Sequence, residues 1–165
     1  MAELISPGFL EQEEDTQKDK FLTFILGSEY YGIDIKQVTE IIGIQPITEV
    51  PELPGYIRGI INLRGKIIPV MDVRLKFKKP FQEYNERTCI IVVDIKDISI
   101  GLIVDSVAEV LDIPATEIIA PPEINRGGSK YIDGIGKVGN EVKLLLDCEK
   151  LLNDQEINGV TEINS

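Results

Sequence analysis

The chain has 165 residues, enough for one domain or two very small ones, and it can bury roughly 70% of the surface that its unfolded form exposes. Acidic side chains outnumber basic ones 28 to 17, a net charge of −11, so the protein's own field repels nucleic acid and anionic membrane and suits basic protein surfaces better. There is no histidine, which removes Ser-His and Cys-His nucleophilic pairs, the usual imidazole metal ligand and the commonest neutral-pH proton shuttle, and weighs against an enzyme.

Residues 1–19 are polar, acidic and aperiodic and read as a disordered arm; they lack the basic start and apolar stretch of a secretory signal. Order is expected to begin near Phe21. Phe21 to Leu26 and Glu29 to Ile35 are β-prone runs around Gly27-Ser28, and Thr88 to Ile95 and Ile98 to Val104 form a matching pair around Lys96-Asp97. After each hairpin comes the same pattern, Val38-Thr39-Glu40-Ile41-Ile42 in one case and Val107-Ala108-Glu109-Val110-Leu111 in the other. These apolar residues are expected to be core in part, but period alone does not say which are exposed.

A second hairpin closes each half. YIRGIINLRGKIIPVMD, Tyr56 to Asp72, returns 75 positions later as YIDGIGKVGNEVKLLLD, Tyr131 to Asp147, with the Tyr, Ile, Gly, Ile and closing Asp identical. Asp72 and Asp147 fit helix N-caps, and the repetition of that role favours structure over chemistry. Residues 78–85 join the halves, the loop with Pro121-Pro122 and Arg126 to Ser129 is the natural variable surface, and residues 153–165 read as a polar tail. Asp94, Lys96-Asp97 and Asp105 break the longest apolar run well short of a membrane span, so a soluble cytoplasmic protein without membrane insertion is expected. Cys89 and Cys148 each sit in an apolar run and read as small hydrophobes rather than a disulfide.

Short strands with few helical periods imply an all-β fold with minor α content. Two small antiparallel barrels related by duplication are expected, the first over about residues 20–79 and the second over about 86–152. Each would be marginal alone, so a shared core and a groove between them are expected.

Gly134-Ile135-Gly136-Lys137-Val138-Gly139 matches G-x-G-x-x-G, but a strand-like run follows it where a dinucleotide site needs a helix N-terminus. Gly65-Lys66 resembles part of a Walker loop, yet the glycine spacing is wrong and Ile67 stands where a Mg²⁺-binding hydroxyl is needed. No carboxylate group has calcium-loop spacing. No cofactor and no metal are expected. The informative position is Arg64. Where one copy of the repeat turns on Arg64-Gly65, the other turns on Gly139-Asn140. By spacing, an exposed turn residue and a partner contact are equally good readings; the asymmetry favours a contact, with Glu40 orienting the planar guanidinium.

YIRGIINLRGKIIPVMDVR, with YYGIDIKQVTEI before it and GLIVDSVAEVL after it, resembles the chemotaxis coupling family CheW over about residues 18–155. The resemblance implies two five-stranded SH3-like barrels and a noncatalytic adaptor. Its partners would be the regulatory domain of the histidine kinase CheA and the cytoplasmic helical-hairpin tip of transmembrane chemoreceptors. It would work in the cytoplasm, recruited to membrane-associated receptor arrays. Matching motifs imply receptor coupling through Val38, Glu40, Gly59, Arg64 and Val110, and kinase docking through Leu22, Ile35, Val38 and Ile41, with Val38 in both sets. A coupling protein of another kinase pathway, such as surface motility, is the alternative within the family. A small ligand-binding barrel is the alternative outside it, and requires a compact polar pocket with a perturbed carboxylate.

Overall fold

The four expected hairpins are present in a computed structural model, which describes residues 17–121 and 130–152. The first hairpin is β1 (Lys20–Leu26) and β2 (Glu29–Asp34), followed by β3 (Val38–Gly43). Then come β4 (Ile57–Leu63), β5 (Lys66–Asp72) and the short helix α1 (Val73–Lys76). The second half repeats the order: β6 (Cys89–Ile95), β7 (Ile98–Val104), β8 (Ser106–Asp112), a short β9 (Ile118–Ile119), β10 (Ile132–Val138), β11 (Glu141–Leu146) and helix α2 (Cys148–Leu152). The expected polar tail, most of the acidic arm and most of the loop after Pro121 lie outside the described residues.

The strands form two sheets, but the sheets do not follow the halves. One has the order β8-β1-β2-β11-β10-β9 and the other β3-β6-β7-β5-β4. Each takes the opening hairpin of one half and the middle strand and closing hairpin of the other. The five-stranded sheet is therefore built wholly from residues 38–104, while the six-stranded sheet joins both ends of the chain. This corrects the expected division at residues 79 and 86. Local pattern predicts hairpins, whereas the pairings that decide membership, β2 with β11 and β5 with β7, are parallel. Parallel neighbours need a long crossover, so no turn in the sequence marks them.

The duplication survives in the registers. Leu145 faces Gly32 across β11 and β2, and Val70 faces Gly101 across β5 and β7. A Cβ added at Gly32 would come within 2.9 Å of Leu145 Cδ2, and one at Gly101 within 3.0 Å of Val70 Cγ1 and 2.7 Å of Ile90 Cγ2. These glycines are seats for the opposing side chain. Gly101→Ala is expected to cost about 2 kcal/mol in a urea titration.

Two cores explain why some strands lack alternation. Ile91, Val93 and Ile95 of β6 enter a core shared with Leu22, Phe24 and Ile33 of the other sheet. Ile90 and Val92 point the opposite way, into a second core with Ile61, Leu63, Ile68, Val70 and Ile103. Buried on both faces from Ile90 to Val93, β6 is continuously apolar up to the exposed Asp94. The shared core also holds an aromatic row, Phe24, Tyr31, Phe77 and Tyr131, with successive ring centroids 5.5 to 5.8 Å apart.

Both helix caps form as expected. Asp72 accepts the N–H of Leu75 at 3.3 Å and Asp147 that of Lys150 at 3.2 Å. The Gly134-to-Gly139 stretch lies on β10 and its turn, not at a helix start. Both cysteines are free; Cys148 is buried and Cys89 is half-buried. Burial, helped by Asp147 and Asp34, pushes the Cys148 thiol up to about 12.

Candidate docking surface

β3 and β8 occupy equivalent edges of the two sheets, and their exposure follows from the strands they pair with. On β3, Val38 lies opposite Val93, so it packs on the shared core. A bulge between Val38 and Glu40 then advances β3 by one residue, which puts Glu40 opposite Val92 and Ile41 opposite Ile91. Ile42 turns onto the second core. Ile41 lies on the shared-core side but beyond its cover, and is 43% exposed. β8 repeats the arrangement against β1: a bulge, then Val110 opposite Leu22, 47% exposed. Exposed Ile41 and Val110 are thus equivalent positions of the two sheets.

The turn between β4 and β5 supplies the cation. Arg64 and Gly65 have φ of 52° and 90°, the left-handed two-residue turn that suits a hairpin's twist. Such a conformation costs a residue with a Cβ about 1 kcal/mol. Arg64 Nη2 donates to Glu40 Oε2. β3 and β4 are the outermost strands of their sheet, so this pair links one edge strand to the turn at the other. The guanidinium stays 69% exposed, so it keeps donors free for a second acceptor and the pair itself adds little stability.

Of the residues implied by resemblance, Glu40 and Arg64 come together, while Ile41 and Val38 lie on the opposite, shared-core face of the same strand. Val110 stands on the other sheet's edge. Ile35 is half-buried against the shared core. Two do not offer a surface. Leu22 is only 2% exposed, because β1 aims it into the shared core beside Phe24. Gly59 is buried at φ 143°, and a Cβ there would lie 2.1 Å from Thr48 O. Its requirement is backbone space, so neither residue can meet a partner through its own side chain in the folded protein.

Sequence reading passed over Ile67 and Val142 as surface residues, although it aligned them in the repeat. Both are exposed at the start of their strands. It also passed over Phe81, exposed in the joining segment, where it meets Tyr84 edge-on at 5.5 Å and lies under Arg58. An aromatic inside a polar linker was the available signal.

A partly open cleft of about 270 Å³ lies among Phe21, Asp34, Gln37, Asp133 and Asp147, whereas the enclosed polar pocket is small. Asp72, Arg74, Tyr84 and Asp105 line a void of about 20 Å³, room for one water. Its perturbed carboxylate, Asp105, is already held by Arg74 at 2.7 and 2.8 Å. No cluster of metal-ligating side chains occurs among the described residues. No helix among them is long and apolar enough to cross a membrane.

A duplicated, mostly β chain with two interlocked sheets and exposed apolar edges has the features of a protein-docking module rather than of a catalyst. Residues 20–156 match the CheW-like domain, and the chain belongs to that family. It is 39% identical over 144 residues to the chemotaxis protein CheW of Klebsiella aerogenes, covering 87% of each chain. It is 31% identical over 149 residues to the chemotaxis protein CheW of Treponema pallidum, covering 87% of this chain and 88% of that one. The crystal structure of the scaffolding protein TtCheW from Thermoanaerobacter tengcongensis superposes with a TM-score of 0.78 at 36% identity, covering 84% of this chain and 94% of the other.

Proposed function

We propose that this chain is a noncatalytic adaptor coupling the cytoplasmic tip of chemoreceptors to the regulatory domain of the histidine kinase CheA. It would act in the cytoplasm, within receptor arrays at the membrane. The observation that carries the reading is the Arg64–Glu40 pair, a directional cation at an exposed turn, with Ile41 uncovered on the other face of the strand that carries Glu40. A receptor's helical tip can lay an apolar stripe against such edges while a carbonyl or carboxylate takes the free donors of Arg64. Relatives described as chemotaxis and scaffolding proteins support the same role. The acidic surface suits protein partners with basic rims.

Arg64→Glu places a like charge beside Glu40 and removes the fork. It is expected to weaken binding of a receptor-tip fragment about 30-fold, on the order of 2 kcal/mol. Binding to the kinase regulatory domain is expected to change much less. Isothermal titration against each fragment checks both, and failure of the unmodified protein to bind either one would refute the adaptor reading.

A further inference from the structure

Arg64 occupies a conformation that its side chain disfavours, and one neighbouring group secures it. In the equivalent turn of the other half, Gly139 takes the left-handed position, with φ 61° and no Cβ to accommodate. The first half substitutes a bulky cation at that position and adds a tether. Asn62 Oδ1 accepts the N–H of Gly65 at 2.8 Å, closing a side-chain bridge across the turn. The position equivalent to Asn62 in the other half is Lys137, which has no such acceptor. Just beyond the turn, Lys66 Nζ donates to Ser99 Oγ at 2.8 Å and ties the hairpin to β7. The extra tether therefore occurs in the half that carries the arginine.

We infer that Asn62 is a positioning residue for docking: its carboxamide holds the Arg64-Gly65 turn left-handed, so that the guanidinium stays against Glu40 and faces a partner preorganised. Without the bridge, the Cβ-bearing Arg64 relaxes toward right-handed or extended backbone, and the guanidinium leaves Glu40. Partner binding then has to restore that order. The docking half of this inference rests on the adaptor reading; the turn half does not.

The test compares Asn62→Ala, Asn62→Asp and Arg64→Ala in the full chain. NMR reads the turn through amide exchange at Gly65 and through the strong intraresidue HN–Hα NOE of a left-handed Arg64. Titration with a soluble receptor-tip fragment reads docking. Asn62→Ala is expected to speed Gly65 exchange, weaken the NOE and lower affinity about fivefold, the scale of one lost hydrogen bond. Asn62→Asp keeps an acceptor and is expected to restore the turn signals. Unchanged turn signals in Asn62→Ala, or parent-like affinity of that variant where Arg64→Ala binds weakly, would overturn the positioning role. Parent-like affinity of both alanine variants would instead overturn the docking reading, with the turn signals still deciding the geometry.

Discussion

Gly59→Ala is expected to destabilise the protein by about 4 kcal/mol, the largest effect of any single methyl added here. The residue sits at φ 143°, which a side chain rarely tolerates, and its Cβ would lie 2.1 Å from Thr48 O and 2.8 Å from Thr48 C. Those atoms are backbone and cannot swing aside. Thr48 exchanges two hydrogen bonds with Ile60, both 2.9 Å, and this bridge holds the segment after β3 across β4. Relief of the clash requires breaking the bridge and lifting Ile44 and Ile47 from the second core, which they cover. Strain of about 1 to 3 kcal/mol and two lost hydrogen bonds of about 1 kcal/mol each account for the total.

The repeat supplies an internal control. Gly134 occupies the equivalent place on β10, but the atom that an added Cβ would meet first is a methyl, Ile118 Cγ2, at 2.7 Å. A side chain can give way, so Gly134→Ala is expected to cost no more than about 2 kcal/mol. Urea midpoints of the two variants check the order, and equal midpoints would refute the backbone argument. Any loss of partner binding in Gly59→Ala is then expected to track the unfolded fraction and to vanish under conditions where the variant is folded.

Much of this was legible because alternation and turn residues are local signals. The β1–β2 and β4–β5 hairpins, their counterparts and the two capping aspartates follow from residues within a few positions of one another. Membership of the sheets was not legible, since the partner of Tyr31 on β2 is Leu144, far along the chain and parallel to it. The site divided in the same way. The difference between Arg64 and Gly139 marked the turn proposed for docking in the sequence itself, and Glu40 could be nominated as its partner. Leu22 could not be told from Ile41 by hydrophobicity, because burial depends on which strand lies opposite, and the backbone reason for Gly59, named through the family motif, was hidden because the crossing of Thr48 is tertiary.

Arg74→Met is the second large loss expected, about 3 kcal/mol at neutral pH, the scale of an ion pair broken in a partly buried site. Asp105 is the single residue between β7 and β8, the point where the chain leaves one sheet for the other. Its carboxylate accepts Arg74 Nε at 2.7 Å, Arg74 Nη2 at 2.8 Å and the Gly27 N–H at 2.8 Å, and its own N–H bonds Ile25 O at 3.2 Å. One fork therefore binds α1, the crossover and the β1–β2 turn together. Burial alone would raise the pKa of Asp105, but the hydrogen bonds from Arg74 and Gly27 and the charges of Arg74 and Lys79 outweigh it, and the net shift is downward. A lowered folded pKa means that this stabilisation is complete above the unfolded value of about 3.9 and is lost as pH falls through the lower folded one. Without Arg74, burial is left with less opposition, so the variant loses nothing comparable in acid. The gap between parent and Arg74→Met is expected to be widest near pH 7 and to narrow below pH of about 4, as measured by urea titrations at both values. Adding Asp105→Asn to Arg74→Met removes the stranded charge and is expected to recover part of the loss, the non-additivity that coupled partners give. A gap independent of pH, or a double variant as unstable as the two losses summed, would show that Arg74 acts by packing its stem and not by holding the crossover carboxylate.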